Sequence, residues 1–468
     1  MEIKLSFLGA AQNVTGSRHM LEANGVKILV DCGFYQERQF KDRNWDKFPV
    51  KPSKIDAVLL THAHLDHCGL LPKLAREGFN GPIYCTGATA EIAKIILLDS
   101  AHLQEEDAEY KKKRHAKEGR KSPRPIKPLY TTEDAEACFP QFTPVKYREV
   151  QSLGPDMECT FYDAGHVLGS SIIRVKVKQN SEERIVIFSG DMGRPDRPIV
   201  CDPTVLDEAD YVLIESTYGN RVHNDVKDIK TAIGEVVNST VAQGGKIVVP
   251  SFALERSQEL LYYFNELLQE GTIKPIKIFL DSPMANKITR VFQKHPEMFD
   301  EEMAELVHNH NSPFKLANLK MVKTTDESKG ILNITKPFVV IAGSGMCTGG
   351  RVKHHLVNYI SSPQNTIMFV GYQAIGTLGR RIVEGEKEVR ILGENRIIKA
   401  KIVRINGFSA HADKVELLNW LKSLKKAPRK VFVVHGEKNS SKHFAEFVKE
   451  ETGWDVMVPN YKDTVILD

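Results

Sequence analysis

Within Thr61-His62-Ala63-His64-Leu65-Asp66-His67, four side chains able to bind a metal ion occupy six consecutive positions. The run follows the apolar strand candidate DAVLLT (56–61) and precedes the helical stretch CGLLPKLAREG. A strand-to-helix turn can aim His62, His64, Asp66 and His67 into one pocket, and imidazole with carboxylate is a ligand set that zinc accepts. A lone histidine is usually structural, but four such ligands at this spacing are not explained by chance. Three further residues stand at the ends of apolar runs or beside them: His166 in DAGHVLGSS, Asp191 in FSGDMGR and His435 in VFVVHGE. Each is weak alone. Together with the run they supply the number of ligands that a binuclear site requires.

The rest of the chain bounds what this site can be attached to. With 468 residues, 41% hydrophobic and 26% charged, the chain has the composition of a folded protein of two or three domains. Apolar runs stay shorter than the ~18–20 residues that span a bilayer, and MEIKLSFLGAAQNVTGS turns polar too early for a signal peptide. A cytoplasmic location with no membrane partner is therefore expected, with Cys32, Cys68, Cys85, Cys138, Cys159, Cys201 and Cys347 as reduced thiols, since they contain no C-x-x-C pair. The net charge of +4 does not by itself demand a polyanionic partner. The segment KKKRHAKEGRKSPRPIK (111–127) concentrates positive charge, and both a solvated helix end and a phosphate-tracking patch fit it.

Short β-branched runs alternate with helical stretches, the pattern of layered α/β architecture. Strands are expected at 27–31, 56–61, 184–190, 211–216, 246–251, 275–282, 337–345, 366–372 and 430–436, many of them apolar enough to be buried on both faces. SQELLYYFNELLQEG reads as a helix stopped by Gly271, and RPDRPIVCDP (194–203) as a domain boundary, with a weaker one near 383–387. Gly343, Gly345, Gly349 and Gly350 lie where a strand candidate runs into a helical stretch. That layout fits a phosphate-cradling loop and a plain turn alike. Arg351, Lys353, Arg380 and Arg381 nearby read either as phosphate contacts or as solvated cations.

The H-x-H-x-D-H run, His166, Asp191 and Asp31 of ILVDCG, in this arrangement, resemble the metallo-β-lactamase superfamily. Glu215 in LIESTYGNR, His411 in GFSAHAD and His435 in VVHGE resemble the three additional motifs of its β-CASP branch, the metallo-nucleases, as do GSGMCTGGRVKHHL and GYQAIGTLGRR. The resemblance covers nearly the whole chain. It implies an αββα sandwich with an inserted α/β β-CASP domain: residues 1–199 and 386–468 for the sandwich, 200–385 for the insertion. A histidine at the last motif, here His435, is typical of RNA-processing members, whereas DNA-processing members usually carry valine. The expected activity is accordingly that of a zinc-dependent ribonuclease acting on single-stranded RNA, internally, from the 5′ end, or both. The KH-type extension of some archaeal members and the long C-terminal tail of others are not expected to contribute.

The resemblance also implies roles. Two zinc ions per chain, or manganese on the same ligands, would be held by His62, His64 and His166 and by Asp66, His67 and His435, with Asp191 bridging, and would share an attacking hydroxide. His411 would be the general acid, Glu215 its partner that raises its pKa, and Asp31 a carboxylate orienting the histidine ligands. Ser251, Glu255 and Arg256 in PSFALERSQELL match the family pattern, and Glu255 also reads as a first-turn helix carboxylate. Ser251, Arg256, Gly345, Gly349, Arg351 and Arg380 are the expected substrate contacts. Three competing readings are a DNA-directed nuclease, a hydrolase of a small ester, thioester or β-lactam, and a non-cutting scaffold subunit. His435 opposes the first, Glu215 and His411 the second, and the intact ligand set the third. A symmetric homodimer is the base-rate expectation for assembly.

Overall fold

The computed structural model describes residues 2–119, 125–179, 181–223 and 229–468. The chain divides into two compact units, one of Met1–Arg197, Cys201–Val222 and Ala410–Asp468, the other of Pro198–Val200 and His223–Ser409. Both units are mixed α/β, and the second is inserted into the first in sequence.

The first unit contains two seven-stranded sheets. One runs, in spatial order, Thr464–Leu467, Ile3–Phe7, His19–Ala23, Val26–Val30, Ala57–Leu59, Ile83–Thr86 and Phe142–Val145. The other runs Val456–Met457, Lys430–Val433, Tyr211–Ile214, Glu182–Phe188, Ser171–Gln179, Met157–Asp163 and Val150–Gly154. Phe7, Ile28 and Leu59 of the first sheet share a core cluster with Phe161, Ile173, Phe188, Leu213 and Phe432 of the second. The opposite face of the second sheet, with Ile172, Ile187 and Val212, is covered by Trp420, Leu421 and Phe444 from the helices Lys414–Lys422 and Lys438–Thr452. Alternate residues of each strand thus enter different layers, the period-2 consequence of the pleat.

Strand register gathers the polar residues at one edge of this unit. Val26–Val30 and Ala57–Leu59 are parallel with Val30 opposite Leu59, so Asp31 and Thr61-His62 leave the first sheet together. In the second sheet Phe188 pairs with Leu213 and Ile214 with Val433, all parallel, so Asp191, Glu215 and His435 follow neighbouring strand ends. Loops at such ends are held by a rigid sheet, which suits them to carry chemistry.

The helix Gly87–Glu118 is capped by Thr86, whose hydroxyl accepts from the Thr89 amide, and closed by Gly119 in the left-handed region. Lys111, Lys112 and Arg114 pair with Asp107, Glu109 and Glu118 on this helix. The basic segment therefore begins as a solvated helix end; its residues 120–124 lie outside those described.

The second unit is built on a six-stranded parallel sheet, ordered Leu319–Met321, Lys277–Asp281, Phe338–Ala342, Ile247–Pro250, Thr366–Phe369 and Lys401–Arg404. Ile247–Pro250, Phe338–Ala342 and Thr366–Phe369 are buried throughout, as their apolar runs require. The boundaries of the units differ from 200 and 385. Residues 201–222 go with the first unit because Tyr211–Ile214 is an interior strand of its second sheet. Residues 386–409 go with the second because Lys401–Arg404 pairs with Thr366–Phe369 and Ile391 and Ala400 enter its core. All seven cysteines are free. Among the described residues, no helix is long and apolar enough to cross a membrane.

Candidate metal centre

The H-x-H-x-D-H run leaves the strand Ala57–Leu59, turns, and enters the short helix Leu65–Cys68, so that His62 and His64 sit on the turn and Asp66 and His67 in the first helical turn. Two groups of donor atoms result, each with all its members within 4.8 Å: His62, His64, His166 and Asp191 in one, Asp66, His67 and His435 in the other. In the first, His62 Nε2 lies 3.0 Å from His64 Nδ1, and His166 Nε2 lies 3.3 Å from the same atom. In the second, His67 Nε2 and His435 Nε2 are 3.1 Å apart, and Asp66 Oδ2 is 3.5 Å from His435 Nε2. Asp191 faces both groups. Its Oδ2 is 3.5 Å from His62 and 3.7 Å from His166, while its Oδ1 is 3.3 Å from His67 Nε2.

The far nitrogens of these rings are held from behind. His67 Nδ1 meets Asp31 Oδ2 at 2.7 Å, and Asp31 also accepts the Thr61 amide, the Thr61 hydroxyl and the Ser17 hydroxyl. His62 Nδ1 faces the Thr61 hydroxyl at 3.1 Å and His166 Nδ1 the Ala410 carbonyl at 3.3 Å, while His435 Nδ1 lies between the Thr217 hydroxyl at 3.2 Å and Asp191 Oδ1 at 3.3 Å. Such partners fix ring orientation and point the free nitrogens inward. Thr61, Ser17, Thr217 and the Ala410 carbonyl were not legible in the sequence: hydroxyls and main-chain oxygens follow no ligand spacing, and only the position of Thr61 directly before the run is a signal.

Close approach dictates two glycines of the site. A Cβ on Gly33 would stand 1.5 Å from the Asp66 carbonyl oxygen, and one on Gly193 would stand 1.7 Å from that of Gly165. Asp31 and His435 both adopt positive φ, 61° and 49°, a strained conformation for residues with side chains that the surrounding bonds hold in place.

Electrostatics divides the residues by task. Burial, reinforced by neighbouring imidazoles, drives His62 and His166 well below the usual histidine range, and pushes His64 down to about 4. Neutral imidazole is the form that coordinates a metal. Against burial, Asp191 and Asp31 hold His67 well above its ordinary value, and Asp191 and Asp66 raise His435. Also against burial, His435 and His67 hold Asp191 well below the carboxylate range. Asp191 Oδ1 is buried and makes no well-aligned hydrogen bond among the described residues, although His67 Nε2 and His435 Nδ1 each lie 3.3 Å away. A carboxylate oxygen without a well-aligned donor, among ring nitrogens converging on the same point, fits a bound divalent cation.

His411 belongs to neither group. Its Nδ1 lies 3.0 Å from Oε1 of the fully buried Glu215, and its side chain keeps 21% exposure. Glu215 also accepts the Met192 amide at 2.7 Å. Although burial opposes protonation, Glu215, then Asp191 and Asp66, push His411 up to about 9. The structure thus brings Asp31, His62, His64, Asp66, His67, His166, Asp191, Glu215, His411 and His435 together within the first unit.

The expected substrate contacts all lie in the second unit. The Ser251 hydroxyl sits 3.1 Å from that of Ser257, Gly345 packs against the Phe252 ring, and the Gly349 amide bonds the Ser344 hydroxyl at 3.3 Å. Each arginine carries an internal carboxylate: Arg256 pairs with Glu259, Arg351 with Asp281 at 2.7 Å and Arg380 with Glu384 at 2.6 Å. Arg351 reaches the Val322 and Lys323 carbonyls as well, so it ties the glycine-rich loop to the sheet.

Comparison with known proteins matches one family profile to each unit and a third across the boundary at Ser409–Ala410. The family profile described as a metallo-beta-lactamase superfamily domain matches residues 20–190, the Beta-Casp domain profile residues 257–382, and that of the Zn-dependent metallo-hydrolase RNA specificity domain residues 397–459. The chain is 39% identical over 430 residues to a ribonuclease of Thermus thermophilus, covering 92% of each. It is 32% identical over 480 residues to the transcription termination factor FttA of Methanocaldococcus jannaschii, covering 99% of this chain and 71% of that one. FttA of Methanosarcina mazei is 32% identical over 461 residues, 95% of this chain and 69% of the relative. Among solved structures, a protein of unknown function from Enterococcus faecalis V583 aligns over the full length of both chains with a TM-score of 0.57 and 11% identity, a likeness of fold alone.

Proposed function

Because the chain belongs to the β-CASP branch of the metallo-β-lactamase superfamily, we propose that it is a zinc-dependent ribonuclease that hydrolyses phosphodiester bonds of single-stranded RNA. The family implies a divalent metal, and the two donor groups support two ions per chain, zinc first and manganese on the same ligands. The observation that carries the reading is Asp191 straddling both donor groups while His411 stands beside them and joins neither, its partner Glu215 lying within 4.8 Å of Asp191 and His435. A thioester hydrolase, whose thiolate leaving group departs without a proton, has no need of a second acid so placed. A phosphodiester does, because its leaving alkoxide must be protonated.

The residues divide the work. His62, His64, His166 and Asp191 would hold one ion, Asp66, His67, His435 and Asp191 the other. Bound there, the pair supplies a nucleophile at neutral pH and neutralises charge on the phosphoryl oxygens. Glu215, fixed by the Met192 amide, accepts from His411 Nδ1 and keeps that ring protonated, which leaves Nε2 to give its proton to the departing oxygen. Asp31 keeps the His67 ring turned so that Nε2 faces inward.

The test is cleavage of one single-stranded RNA, labelled internally or at its 5′ end, by protein stripped with chelator and reloaded with zinc or manganese. Metal-dependent cutting is expected, and the product ladder separates internal from 5′ cleavage. Metal-loaded protein that cuts neither substrate would overturn the reading.

A further inference from the structure

The segment from Gln36 to Lys54, between the strands that carry Asp31 and the H-x-H-x-D-H run, holds six basic and three acidic residues, a net +3 in a chain whose total is +4. Arg38, Lys41, Lys47, Lys51 and Lys54 are exposed. Among the described residues no carboxylate lies within 4.0 Å of their charged atoms. Glu37 is turned away from them, accepting the Val14 and Thr15 amides at 3.0 Å each. In their midst Trp45 is 47% exposed.

A solitary exposed tryptophan needs no explanation, but this one stands on a rigid base. Buried Asn44 clamps the segment, its Oδ1 accepting the Tyr35 amide and its Nδ2 donating to the Tyr35 carbonyl, both at 2.8 Å. The Arg43 guanidinium lies 4.3 Å from the Phe40 ring centre and 4.1 Å from that of Tyr461. Phe48 has Arg18 at 5.2 Å and Lys73 at 4.9 Å, and Lys73 also donates to the Asn44 carbonyl. The stretch that leads into the segment is stitched to the helix of the metal ligands: the Cys32 amide donates to the His67 carbonyl at 2.7 Å, and the Phe34 amide to that of Leu65 at 3.0 Å.

We propose that this segment is a contact surface for the RNA flanking the scissile bond, with phosphates on Arg38, Lys41, Lys47 and Lys51 and one base stacked on Trp45. Cations that meet no carboxylate among the described residues attract any polyanion, but an exposed indole among them favours one that carries flat bases, since stacking is tolerant of sequence. The proposal rests on the ribonuclease reading.

Stopped-flow tryptophan fluorescence of the metal-loaded enzyme tests it before turnover. Of the three tryptophans, Trp420 is buried and donates to the Thr204 carbonyl, and Trp454 is only partly exposed, so Trp45 is the one a base can reach. Single-stranded RNA should quench the signal, and poly-glutamate should not. Trp45→Ala should abolish the quench and raise KM on the order of tenfold with kcat unchanged, with KM restored by Trp45→Phe. Combining Arg38→Ala, Lys41→Ala, Lys47→Ala and Lys51→Ala should lower the slope of log affinity against log salt by about 3. A full quench in Trp45→Ala, equal quenching by poly-glutamate, or an unchanged salt slope would overturn the proposal while wild-type cleavage of RNA leaves the ribonuclease reading intact. Failure of that reading shows separately, as absence of cleavage by the wild type.

Discussion

The Nδ1 atom of His411 lies 3.0 Å from Oε1 of Glu215, a carboxylate with no solvent exposure that also accepts the Met192 amide. A buried charge so tied leaves its histidine partner little freedom to rotate or to lose its proton. Acid and ligand roles are thereby separated among histidines of one cluster: His62, His64 and His166 are driven neutral, and His411 is kept protonated.

The pH dependence of turnover follows. His411 is raised to about 9, so its acid form is complete below the ordinary value of 6.5 and is lost as pH rises through about 9. The kcat profile should hold through neutral pH and fall on the alkaline side near 9. Glu215→Gln should move that fall toward 6.5; an alkaline limb that stays in place would remove Glu215 from this role.

Asp31 acts through His67. With the Asp31–His67 bond removed in Asp31→Ala, metal affinity should drop about 10- to 100-fold, as for other partners of metal-bound histidines. Competition with a chelator of known affinity measures it, and unchanged affinity would show that Thr61 and the helix backbone suffice to orient the ring.

Loading the site should release protons. His67 and His435 are raised in the metal-free chain, and both must be neutral to coordinate. Apparent metal affinity therefore rises with pH across the neutral range. Calorimetry in buffers of different ionisation enthalpy should report net proton release near pH 7, and a heat independent of buffer would refute it.

In the second unit, Asp281 is fully buried and accepts from Arg351, His355 and Ser328. Asp281→Ala strands three buried or half-buried donors and should cost roughly 3 kcal/mol, at the low end for a broken buried pair because Arg351 keeps some solvent contact. Thermal melting with metal bound checks it. Gly33→Ala, whose Cβ would meet the Asp66 carbonyl, should destabilise the first unit by at least about 2 kcal/mol.

What the sequence reveals and what it hides have physical reasons. His62, His64, Asp66 and His67 are legible because four ligands on one strand-to-helix turn are adjacent in the chain as well as in space. The parallel strands of the second unit are legible as apolar runs because both faces are buried. The bond between Arg351 and Asp281 spans 70 positions, so the arginine reads as a free cation until the fold pairs it. The end of the insertion is obscured by the hairpin Glu388–Ile391 and Glu394–Ile397, whose polar outer face reads like a linker. Thr217 and the Ala410 carbonyl, which hold His435 and His166, come from loops of different strands and share no spacing with the rings they orient.

The central claim is that one cluster holds two metal ions and, beside them, an acid that binds neither. Its most direct test counts bound metal and RNA turnover together in the wild type, in Asp191→Ala and in His411→Ala. About two ions per chain with metal-dependent cleavage are expected of the wild type. Asp191→Ala should lose both metal and activity, whereas His411→Ala should keep the metal and lose cleavage by a factor on the order of 10²–10⁴. Loss of metal in His411→Ala, or full cleavage without it, would contradict the account.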